Sequence, residues 1–110
     1  MQQIKLNVAD ECTTYLCKYT TQQYIQQYIN SNTNAYASKI QQHSKSIKCV
    51  YVIKQYDEYG CIARSSNIVI KLHNNTYAIV THTLHNNKVT YKQATFIQCI
   101  QALFTLDDLT

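Results

Sequence analysis

Lys88 and Lys92 stand four residues apart in a stretch, residues 86–103, whose pattern predicts a helix. That spacing is about one helical turn, so both ammonium groups would project from one side of it. A helix start also offers unpaired N–H donors and the positive end of the dipole. Together these would clamp a phosphate. Asn86 or Asn87 would cap the turn, because a short amide side chain accepts from the orphan N–H groups. Phe96, Ile100 and Leu103, with Ala102 beside them, recur at helical spacing and would face a core. The plain alternative is a solvated helix start with two ordinary surface lysines.

Other constellations carry less. The six acids fall in three pairs, Asp10-Glu11, Asp57-Glu58 and Asp107-Asp108. Each pair lies at an expected element end, where acids serve as caps or solvated turns rather than as acid–base machinery. A single glycine, Gly60, excludes a Gly-rich phosphate loop. Five cysteines, an odd number, argue for reduced thiols over a disulfide frame. Cys12 and Cys17 do not form a zinc knuckle, and His43, His73, His82 and His85 add no ligand spacing. Cys49 and Cys99 sit in apolar patterns as small core residues. Nothing in the spacing gives Cys61 a catalytic partner. No enzyme activity, metal or cofactor is expected.

The chain has 110 residues, enough for one domain with a modest core. With 15% charged and 45% hydrophobic residues it is neither a disordered charged tail nor membrane-like. It has no long apolar run, and its start lacks the apolar core of a signal peptide. A cytoplasmic location is expected, with the nucleus second. The net charge is +4, and every lysine but Lys5, together with Arg64, lies in long spans between the acid pairs, which suits a polyanionic partner. The abundance of Asn, Tyr, Ile, Lys, Gln and Thr points to an AT-rich genome of the kind small viral and some protist genes have.

Stepping along the chain, residues 1–9 alternate at Ile4, Leu6 and Val8 like a half-buried strand. Residues 10–30 are predicted as a helix, with Cys12, Tyr15, Leu16, Tyr19, Tyr24, Ile25, Tyr28 and Ile29 on its apolar side and a stop at residues 30–32. Residues 32–44 form a shorter helix that turns Ala37 and Ile40 inward. Strands follow over residues 48–56, 67–73 and 76–83, with a turn at residues 57–60, a loop running to Ser66, and a hairpin at Asn74-Asn75. The expected fold class is α+β: helix, three-stranded antiparallel sheet, helix, with an additional N-terminal helix.

Over residues 32–106 this order resembles the double-stranded RNA-binding domain. The family's final-helix motif is matched by Asn87 and Lys88, then Tyr91 and Lys92, then Ala94 and Thr95, with Ile100 and Leu103 behind them. Tyr51 and Tyr77 match its strand tyrosines. Val89 replaces the motif's second lysine, the Gly-Pro-x-His loop has no counterpart, and Lys39 falls near the family's helix glutamate. The resemblance implies an N-terminal helical extension, residues 1–31, and a binding domain, residues 32–110. It implies sequence-independent binding of double-stranded RNA, reading shape across about 16 bp. Asn87, Lys88 and Lys92 would meet major-groove phosphates, Ser38 and Lys39 one minor groove, and Arg64 the other. A viral suppressor of RNA silencing or of innate sensing would work this way. The alternative is a protein-interaction or dimerisation module without strong RNA binding, in which the Tyr-rich N-terminal helix buries against a twin; Val89 and the missing loop histidine favour it.

Overall fold

The computed structural model describes residues 2–9, 12–29, 35–83 and 88–108. Their elements run β1 (Gln2–Ala9), β2 (Cys12–Thr20), α1 (Thr21–Tyr28), α2 (Ala35–Gln42), β3 (Ile47–Asp57), β4 (Gly60–Ser65), β5 (Asn67–Leu72), β6 (Tyr77–Thr83), β7 (Lys88–Ala94), α3 (Phe96–Leu103) and β8 (Leu106–Asp108).

Strand β3 is the axis. It is rich in Ile, Val and Tyr, which suit a pleated surface packed on both sides. From Cys49 to Asp57 it pairs with β2 on one edge, from Thr20↔Cys49 to Cys12↔Asp57. On the other edge its first half pairs with β5 and its last residues with β4. The described strands make one antiparallel sheet, ordered β1-β2-β3-β5-β6-β7, with β8 attached to β4.

Alternation along the strands separates two cores. Cys17, Tyr19, Val50, Val52, Ile68, Ile70, Ala78 and Val80 point to one face, where Tyr24 of α1 and Tyr36, Ala37 and Ile40 of α2 cover them. Ile53 and Val69 point to the other, under Cys99 and Leu103 of α3. The sheet is therefore the middle of three layers. Each helix has only eight residues. An isolated helix below roughly 12 residues is marginal in water, so packing and caps must hold these. Thr20 with Gln23, and Thr95 with Gln98, form reciprocal capping boxes at α1 and α3.

This architecture corrects the expected helix, three-stranded sheet, helix arrangement: the chain is dominated by sheet. Two segments account for the change. The stretch expected as an N-terminal helix is strand β2 until Thr20, and only Thr21–Tyr28 is helical. Cys, Thr, Tyr and Leu here are buried on both sides of a strand, and that continuous apolarity imitates a helix period. The stretch expected as the final helix is strand β7 until Ala94, and α3 begins only at Phe96. Val89, Thr90 and Tyr91 prefer the pleated state, and Thr95-x-x-Gln98 marks the true helix start. The loop expected up to Ser66 is strand β4, closed by the short turn at Glu58-Tyr59. Asn86, Asn87 and residues 30–32 lie outside the described residues.

Candidate nucleic-acid interface

The expected site residues do not converge. Lys88 and Lys92 share one side of β7, the side of α3, since Val89 between them packs into the other core. Four residues of strand separate them by about 13 Å. They are exposed, but they do not stand at a helix mouth. The start of α3 is closed by its own Thr95 and Gln98 side chains. The phosphate clamp expected there is absent because the chain around the lysines is extended. Asn87 lies outside the described residues. Ser38 is exposed and Lys39 half-buried on α2, against the opposite face of the sheet. Arg64 belongs to β4, half-buried, rather than to a loop. The Tyr-rich surface expected to meet a twin is internal: Tyr19 and Tyr24 are 0% and 2% exposed.

Instead, a different set of lysines gathers at one end of the sheet. Lys18 comes from the end of β2, Lys45 from the turn joining α2 to β3, and Lys48 from the start of β3; all three are exposed. The turn is tied down by Ser46 N–H to His43 O at 3.0 Å and by His73 N–H to Ser46 O at 3.1 Å. The buried Thr21 hydroxyl donates to Ile47 O at 2.8 Å and fastens the start of α1 to the start of β3. Two open clefts result. One, of about 380 Å³, is lined by Gln2, Lys18, Thr20, Gln23, Lys48 and Cys49. The other, of about 360 Å³, is lined by Thr20, Thr21, Gln22, Ser44, Lys45, Ile47 and Lys48. They share Thr20 and Lys48, and among the described residues no acid lines either one. The start of α1 lies at the same place, its first N–H groups closed by the Thr20 and Gln23 side chains as at α3. Nearby on the α3 side, Lys18 Nζ stands 6.0 Å from the Tyr51 ring centre and Lys71 Nζ 5.7 Å from that of Tyr77. Sequence reasoning missed this set because Lys18 joins the other two only through the β2–β3 register. The visible trace was the acid-free span between Glu11 and Asp57.

A second polar cluster lies under α1. Lys54 Nζ donates to the Tyr19 hydroxyl oxygen at 2.7 Å, and the Tyr19 and Tyr28 hydroxyls are 3.2 Å apart. Burial pulls the Lys54 ammonium down, but the tyrosine oxygens outweigh it and the net shift is upward. Burial drives the Tyr19 hydroxyl upward, against the opposing pull of Lys54. Tyr51 is also raised, chiefly by burial.

Helix α3 is apolar beyond the arc it buries. Phe96, Ile97 and Phe104 are 60%, 70% and 55% exposed. Between it and the sheet lies an apolar cleft of about 110 Å³, bounded by Leu16, Tyr51, Tyr77, Phe96 and Ile100 among others. Among the described residues, no three His, Cys, Asp or Glu side chains gather as a metal site, and no helix is long and apolar enough to cross a membrane. No protein-family model, curated protein or solved structure matches the chain.

Proposed function

We propose that this protein is a non-catalytic RNA-binding protein that grips the phosphate backbone of duplex RNA without reading sequence. The supporting observation is the pair of clefts that share Lys48, carry Lys18 and Lys45 on their walls, and have no acid among their described lining residues. Lysines on separate elements, held around open polar space, can each neutralise a phosphate and release its counterions. Such contacts carry no base information, which fits sequence-independent binding. In a chain whose composition points to an AT-rich genome, coating duplex RNA against nucleases or innate sensors, in the cytoplasm, is the role this reading extends to.

The test is a polarisation titration with labelled duplex RNA of about two turns, beside duplex DNA and single-stranded RNA, at 50 and 200 mM salt. Three phosphate contacts predict a roughly 30-fold loss of affinity across that range. Replacing Lys18, Lys45 and Lys48 together by Gln should abolish binding, whereas Lys88→Gln with Lys92→Gln should weaken it only slightly. No binding at 50 mM salt, or an unchanged affinity in the triple variant, ends the proposal.

One observation favours a second reading, a protein-interaction module. Phe96, Ile97 and Phe104 put an exposed apolar stripe on α3 beside an apolar cleft, and such patches mark association surfaces. A second copy seated there would double the mass in solution, and Ile97→Lys would return it to one chain. A single-chain mass at high concentration would dispose of this reading.

A further inference from the structure

Lys54 of β3 and Arg64 of β4 are direct partners across the ladder. Side chains so placed have Cβ atoms about 5 Å apart, and like charges there repel. Both residues are half-buried. Lys54 is answered by the Tyr19 oxygen at 2.7 Å and by the rings of Tyr19 and Tyr28, whose centres lie 5.4 and 5.7 Å away. Arg64 differs at one atom. Its Nε is shut off from solvent and meets no acceptor. A donor atom buried without an acceptor carries its desolvation cost uncompensated. Beside it is a cavity of about 20 Å³, bounded by Tyr24, Tyr28, Lys54, Arg64 and Ser65, with no acid among the described residues on its wall. That is room for about one water-sized particle.

We propose that Arg64 and Lys54 hold a small anion between them, either an ion of chloride size or one oxygen of a carboxylate or phosphate group. The anion would accept from Arg64 Nε and from the Lys54 ammonium, and would relieve the repulsion between them. The tyrosine rings and Val52 would keep water from competing. The ladder with β8 also sets Asp107 at the register position opposite Arg64. This site is separate from the lysine clefts and stands whether or not RNA binds there.

The experiment is thermal unfolding at fixed ionic strength, with chloride, acetate and inorganic phosphate titrated in turn, and tyrosine difference absorbance followed alongside. The absorbance probe is apt because the chain has ten tyrosines and no tryptophan. A saturable rise in Tm with a matching tyrosine signal is expected for at least one anion, and which anion responds identifies its source. Arg64→Gln should weaken that response at least tenfold, and Tyr28→Phe, a gentler change, several-fold. The Lys18, Lys45 and Lys48 triple variant should keep it. The proposal is overturned if no anion gives a saturable response. It is equally overturned if Arg64→Gln responds like the parent, or if the response appears only in Asp107→Asn, which would make Asp107 the resident anion.

Discussion

The Ser65 hydroxyl stands in for a rung of the ladder beside Ile53: its oxygen accepts from Ile53 N–H at 2.6 Å and its hydrogen is donated to Ile53 O at 3.2 Å. The register of β3 slips between its pairing with β4 and its pairing with β5, and this side chain bridges the gap. At the next residue the strand turns outward, where Ser66 N–H bonds Thr105 O at 2.6 Å and starts the β8 ladder. Ser65→Ala would leave a buried N–H and a buried C=O without partners. The expected loss is about 2–4 kcal/mol, read as a fall in Tm of roughly 10 °C. A change within a degree would show that water fills the position.

The two capping boxes should behave as independent units, because α1 and α3 lie on opposite faces of the sheet. Thr20→Ala and Thr95→Ala should each cost about 1 kcal/mol in urea unfolding, and the double variant close to the sum. A marked departure from additivity would mean that the helix ends communicate through the sheet.

Asn75, in the β5–β6 hairpin, has φ of 67°, a left-handed conformation that short polar residues and glycine tolerate. Asn75→Gly should therefore leave stability almost unchanged. Asn75→Val should lower it by about 1–2 kcal/mol. Equal melting curves for the two variants would contradict the hairpin geometry.

Alkaline unfolding should report the Tyr19–Lys54 cluster. Tyr19, Tyr51 and Lys54 are all shifted upward in the folded chain. Between the unfolded and folded values the native state holds protons that the unfolded state has released. Stability should therefore be full below about pH 10 and fall as pH rises above it. Urea midpoints from pH 7 to 11 check the sign; a midpoint that rises above pH 10 would refute the assignment. Tyr51→Phe should make the alkaline fall shallower.

Strands β3, β5 and β6 were readable from residue order, because alternation at Val50, Val52, Ile68 and Ile70 is a local property of a pleated chain. So were the inward Ala37 and Ile40 and the Asn74-Asn75 hairpin, each of which rests on neighbours a few positions away. The segments carrying β2 and β7 were not readable. β2 is packed on both sides, so its apolar residues imitate a helix period. β7 is an edge strand whose lysines resemble a solvated helix start. Their conformation is settled by partners remote in the chain, β3 for one and β6 for the other. The same holds for function. The positive charge and the long acid-free spans are in the composition, but the meeting of Lys18 with Lys45 and Lys48, and of Arg64 with Lys54, exists only once the strands align, because hydrogen-bond register sets which distant residues share a surface.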